Sequence, residues 1–158
     1  MNDADLAAMR TLADYQFGRG AGSGLFPPVE SLRIQRSSSG RPRQILSEEG
    51  RIVSLRIDGR FTLGIEGGRR LVTTLDPPGY RVTVGDESEP FVREGKNVFN
   101  KFVGPVDEAI RQGDEVAVVH ERGDLLAVGR AELDAAAMAD FETGMAVAVR
   151  DSIGSTTG

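Results

Sequence analysis

Arg93-Glu94-Gly95-Lys96-Asn97-Val98-Phe99-Asn100-Lys101-Phe102-Val103 is the most informative stretch of this chain. A glycine stands between charged residues, and the apolar run behind it opens like a β-strand. Glycine removes the side chain where the backbone of a partner would approach. Lys96 and Lys101 are the only two lysines of the protein, and both fall in this segment although the net charge is −5.

Working outward, 158 residues suffice for one domain or two small ones, each able to bury a core. Charged residues make up 27% and hydrophobic ones 39%, the balance of a soluble globular protein. Having no cysteine, the chain excludes disulfides, thiolate metal sites and cysteine nucleophiles. Its single histidine, His120, excludes a multi-histidine metal centre. No apolar run approaches the ~18 residues of a membrane span. Asp3 and Asp5 at the start do not read as a signal peptide, so a cytoplasmic protein is expected. The basic residues are nearly all arginine, which fits a salt-adapted archaeal cytosol or a GC-rich genome equally well. Their distribution says more than their number. Arg33 to Arg70 holds nine arginines against four acids, whereas the second half of the chain is strongly acidic. A polyanion-binding protein needs a local basic face and tolerates acidity elsewhere.

The pattern predicts an opening helix capped by Asn2 or Asp3, with Leu6, Met9, Leu12, Ala13 and Phe17 at three- and four-residue spacing. Gly18–Gly24 is expected to end it in a mobile loop. These glycines miss G-x-G-x-x-G, because Ser23 takes the last position and no strand precedes them. Short strands are expected at Ser31–Gln35, Arg43–Leu46, Ile52–Ile57 and Phe61–Ile65, with a hairpin at Asp58-Gly59. Arg69–Leu75 reads as a helix packing back on them. Pro77-Pro78-Gly79 marks the domain boundary. Beyond it come a strand at Arg81–Val84, a helical turn at Ser88–Glu94, and a strand at Val98–Val103. A hairpin follows, Glu115–His120 and Leu125–Arg130, then a helix from Asp134 to Phe141 and a last strand at Met145–Arg150. The expected organisation is α+β: a small arginine-rich α+β domain over 1–78, a mixed β-barrel with two short helices over 79–151, and a flexible tail over 152–158.

That order of elements, with the glycine stretch above, Gly113-Asp114-Glu115-Val116 and Leu126-Ala127-Val128-Gly129-Arg130-Ala131, resembles the PUA domain. PUA is an RNA-binding module of pseudouridine synthases and archaeosine transglycosylases. Ala13-Asp14-Tyr15-Gln16-Phe17-Gly18 and Phe61-Thr62-Leu63-Gly64-Ile65-Glu66-Gly67 resemble the domain that precedes PUA in archaeal archaeosine tRNA-guanine transglycosylases. The catalytic barrel of those enzymes, with its zinc-binding cysteines and aspartate nucleophile, has no counterpart here. The resemblance implies RNA binding, with tRNA first among structured RNAs, as an accessory module in RNA modification beside an RNA-modifying enzyme. It implies no exchange reaction, so a non-enzyme without cofactor or metal is expected. The alternative is an acidic protein-interaction subunit of an RNA-modifying or ribonucleoprotein complex.

The candidate RNA-binding residues are Arg93, Gly95, Lys96, Asn97, Lys101 and Arg130 in the second half and Arg33, Arg36, Arg41 and Arg43 in the first. Gly95 is expected to let a helix end, backbone amides outward, meet a phosphate or sugar. The four arginines interleave with Ser37–Gly40 and have no acid nearby, which suits phosphate oxygens and equally a solvated hairpin loop. Arg69 and Arg70 either extend that face or coat a helix. Phe99 and Phe102, close together in an apolar run, are expected in the core rather than as stacking platforms. His120 is expected to be structural. Asp86-Glu87, Asp107-Glu108 and Asp114-Glu115 read as solvated turns without converging ligands.

Overall fold

The computed structural model describes residues 3–28 and 30–154. The chain divides into two compact units, Met1–Leu75 and Asp76–Gly158.

The first unit holds helices α1 (Asp3–Phe17) and α2 (Ala21–Leu25), strands β1 (Arg33–Arg36), β2 (Pro42–Ser47), β3 (Gly50–Leu55) and β4 (Phe61–Leu63), then helix α3 (Ile65–Thr74). The strands form an antiparallel meander in the order β1-β2-β3-β4. Met9, Ala13 and Phe17 of the α1 stripe are buried, and Leu6 and Leu12 are half-buried. The expected cap at Asn2 lies outside the described residues; Asp3 is the first residue of the helix.

Two expectations fail here for one reason, close backbone packing. Gly18–Gly24 is no loop: the chain turns at Gly18 and Gly20 and enters α2. A Cβ on Gly22 would overlap the Arg10 carbonyl, and one on Gly24 would overlap Thr74. The Gly22 N–H donates to Asp14 Oδ1 at 2.7 Å, so Asp14 anchors α2. Likewise α3 begins at Ile65, not Arg69, because Gly67 lets the helix lie on the Ile52 carbonyl of β3. The expected hairpin stands where Asp58-Gly59 placed it: the Arg56 N–H donates to the Arg60 carbonyl at 2.8 Å, and Gly59 has φ +86°. Gln16 closes the β4 edge as a neighbouring strand would. Its Nε2 donates to the Phe61 carbonyl (2.9 Å), and its Oε1 accepts the Phe61 N–H (2.7 Å).

The second unit runs β5 (Arg81–Val84), α4 (Glu89–Arg93), β6 (Val98–Phe99), a 3-10 turn (Asn100–Phe102), β7 (Val103–Val106), β8 (Glu115–His120), β9 (Leu125–Ala131), α5 (Ala135–Asp140) and β10 (Met145–Ser152). The six strands order as β6-β10-β9-β8-β5-β7, with β5 parallel to β8 and the other pairs antiparallel. The two edge strands are thus joined by the three-residue turn alone. Three residues of 3-10 helix rise only ~6 Å, which brings one end of each edge strand near the other and curls the sheet into a half-barrel. All six residues of β8, between β9 and β5, are buried, which explains its unbroken apolar run. Val82, Val84, Val116, Val118, Leu126, Met138 and Val147 fill the interior. Each such side chain contributes about 1.5–3 kcal/mol on burial. Asp134 caps α5 by accepting the Ala137 N–H on Oδ1 at 2.8 Å.

Val98–Val103 is not one strand, because Asn100 breaks it. Its Nδ2 donates to the carbonyls of Ala137 and Phe141, and its N–H donates to Gly144 at 2.8 Å, pinning a turn where a strand would run straight. The tail also starts later than expected. β10 continues through Ser152, and the Ile153 N–H donates to the Leu126 carbonyl at 2.9 Å. Residues 155–158 of the expected flexible tail lie outside the described residues.

Candidate nucleic-acid interface

Gly95 ends α4. It has φ +95°, its N–H donates to the Val92 carbonyl (2.9 Å), and the Lys96 N–H donates to Phe91 (3.0 Å). This double bond is a Schellman C-cap, which needs the left-handed conformation glycine adopts without strain. It corrects the expectation of outward amides: the Gly95 and Lys96 N–H groups are already used, and a helix C-terminus presents carbonyls. A Cβ on Gly95 would have room, with Ser152 Oγ at 3.7 Å, so the turn requires glycine for its φ and not for space.

The cap aims Lys96 outward beside a groove of about 470 Å³ lined by Glu87, Ser88, Phe91, Val92, Lys96, Asn97, Phe99 and Phe102. Phe91 and Phe99 are 59% and 50% exposed, and Phe102 is half-buried. The expectation that Phe99 belongs to the core is therefore wrong. In β6 the faces alternate, so buried Val98 turns the Phe99 ring out. Lys101 lies on the same turn with Nζ 4.9 Å from the Phe102 ring centroid. Exposed rings and two ammonium groups together can stack a planar base and neutralise its phosphate. Asn97 plays another part, accepting the Val149 N–H on Oδ1 at 2.9 Å and fastening the loop to β10. Arg130 is exposed on β9 and is not among the groove residues.

Arg93 is committed within the helix, its guanidinium bonding Glu89 at 3.1 Å. Glu89 also takes Arg122 of the β8–β9 turn at 2.6 Å. The Arg122 hydrogen bond, first of all, holds the Glu89 carboxyl below the usual range against the opposing effect of desolvation. His120 completes this tether. Its Nδ1 accepts the Arg122 N–H at 3.0 Å, which leaves the ring proton on Nε2, 2.7 Å from Asp86 Oδ1. Asp86, Glu89 and His120 thus converge within 4.8 Å, contrary to the expectation that Asp86 of the Asp86-Glu87 pair sits in a solvated turn without converging ligands. A metal would need the Nε2 lone pair that carries the proton here, and the Arg122 guanidinium already occupies the carboxylates. The arrangement is an ion-pair network that fixes α4.

In the first unit the four arginines have different fates. Arg36 pairs with Asp5 at 2.6 Å and donates to the Gly40 carbonyl, and Arg41 donates to the Leu55 carbonyl at 3.2 Å. Arg33 and Arg43 are exposed on β1 and β2. Arg70 is tied to Glu30 and Glu66 and does not extend a basic face.

A curled six-stranded half-barrel with a capped glycine turn beside an aromatic groove defines a PUA-type protein. Comparison with known proteins agrees: residues 80–153 match the PUA domain, and residues 7–78 match the patch-forming domain C2 of tRNA-guanine transglycosylase. The chain belongs to the family that joins these two domains. It is 46% identical over 148 residues to the tRNA-guanine(15) transglycosylase of Methanothermobacter thermautotrophicus, covering 92% of this chain and 22% of that protein. The Pyrococcus abyssi relative of the same name is 43% identical over 143 residues, covering 90% and 24%. The chain therefore spans about a fifth to a quarter of the length of these relatives. In fold it is similar to a hypothetical protein of Pyrococcus horikoshii OT3 (TM-score 0.75, 21% identity, 99% of this chain and 95% of that one). It is also similar to a conserved PUA domain protein of Thermoplasma acidophilum (TM-score 0.64, 22% identity, 94% and 93%).

Proposed function

We propose that this chain binds RNA, with tRNA first among its ligands, and serves as an accessory module for an RNA-modifying enzyme. The observation that carries this reading is the groove beside α4, where two half-exposed phenylalanines flank a lysine in an otherwise acidic unit. Its relatives are named for a reaction on tRNA, and the chain corresponds to a minor, shared part of them. We assign it no reaction of its own. Of the candidate residues, Lys96, Lys101, Arg33 and Arg43 remain available for phosphate, with Arg130 as an outlying contact. Gly95, Asn97 and Arg93 shape the loop instead. The test is binding of a tRNA transcript to the whole chain, followed by fluorescence anisotropy across a salt series. Affinity that falls steeply with salt supports phosphate neutralisation. Affinity for a protein partner in place of RNA, indifferent to salt, would favour the acidic interaction subunit.

A further inference from the structure

The face of the first unit's sheet that turns away from its core carries an uncharged polar row, exposed at Gln35 and half-exposed at Gln44, Ser54 and Thr62. Register places Gln35 opposite Gln44, Gln44 opposite Ser54, and Ser54 opposite Thr62, one residue from each strand of the meander. Directly opposed residues point to the same face of a sheet. The opposite face holds Ile45, Val53 and Leu63, fully paired in register and buried, so this row faces away from the core. With strands ~4.8 Å apart, the row spans ~14 Å. Arg33 shares the face of Gln35 on β1, and a bulge at Ile45/Leu46 brings Arg51 onto it, where it donates to Ser54 Oγ at 2.9 Å.

We infer that this row reads ribose 2′-hydroxyls and so makes the chain prefer RNA to DNA, an inference that rests on the RNA-binding reading above. Charge complementarity selects a nucleic acid: Arg33 is exposed on the same face as the row, and residues 31–47 around it contain four arginines and no acid. Chemistry then selects the sugar. A phosphate oxygen only accepts hydrogen bonds, so arginine alone would serve it. Glutamine amides and serine or threonine hydroxyls both donate and accept, and the 2′-hydroxyl does the same. A sheet face without protruding rings fits the wide, shallow minor groove where RNA duplexes display those hydroxyls. Aromatic rings would hold the sheet off, and the row has none.

The experiment compares a blunt RNA duplex with a DNA duplex of the same sequence, using the whole chain. Gln35→Ala with Gln44→Ala is expected to lower RNA-duplex affinity about tenfold, from two or more lost hydrogen bonds, and to leave DNA affinity and the salt slope in place. Thr62→Val, which exchanges the hydroxyl for a methyl of similar size, is expected to narrow the RNA/DNA ratio about threefold without moving the thermal midpoint. Arg33→Ala is expected to weaken both duplexes equally and to flatten the salt slope by about one. RNA binding with an RNA/DNA ratio unmoved by both row variants would overturn the inference and leave the proposed function standing. No RNA binding at all would overturn the proposed function, and this inference with it.

Discussion

The two units offer a polyanion different chemistry. In the second unit, acids outnumber bases; Lys96 lines the groove among phenylalanine rings together with Glu87, and Lys101 stands over the Phe102 ring. In the first, the β1–β2 hairpin has no acid at all, and its open face mixes arginine with amides and hydroxyls. Rings suit unpaired bases, which present π-faces, whereas a ring-free sheet suits a closed duplex backbone. The net charge of −5 describes neither surface. What decides is which cations are already spent: Arg36, Arg70, Arg93 and Arg122 each face a carboxylate at 3.1 Å or less.

The sharpest way to break this contrast is to remove the rings. Phe91→Ala with Phe99→Ala is expected to cost ~10- to 100-fold in affinity for single-stranded RNA, from about 1–3 kcal/mol per stacked base, with duplex binding nearly unchanged. Equal losses on both ligands, measured by anisotropy, would merge the two surfaces into one. Next in size, Arg33→Glu with Arg43→Glu should weaken duplex binding about tenfold and flatten its salt slope by ~2, leaving single-strand affinity less affected. Lys96→Ala should weaken single-strand binding several-fold at moderate salt while the thermal midpoint stays within the small range of surface changes.

The smallest effect concerns the tether of α4. Arg122→Ala removes the hydrogen bond that keeps the Glu89 carboxyl below its ordinary range. A folded-state pKa below the unfolded value stabilises above the unfolded value, and that contribution is lost as pH falls through the folded one. Parent and variant should therefore differ in thermal midpoint at neutral pH and converge below about pH 4, near and beneath the free glutamate value. A gap that persists in acid would assign the loss to packing.

Much of this was legible in the sequence because it was local. The Asp58-Gly59 hairpin, the Asp134 cap and the β8–β9 hairpin follow from turn chemistry and apolar periodicity over a few residues. Long-range matters were not legible. The break at Asn100 depends on carbonyls some forty residues away, at Ala137, Phe141 and Gly144. The Gly22 and Gly67 positions look like flexible sequence and are instead places where backbone meets backbone. The outward ring of Phe99 is legible after all, in its alternation with buried Val98 and Asn100. The commitment of Arg36 to Asp5, 31 residues away, could only come from the fold.

The most direct test of the central claim is the salt dependence of tRNA binding by the whole chain. If Lys96, Lys101, Arg33 and Arg43 and their neighbours neutralise ~4–6 phosphates, the log–log slope is expected at about −3 to −5. Binding that is absent, or present with a slope near zero, would contradict it.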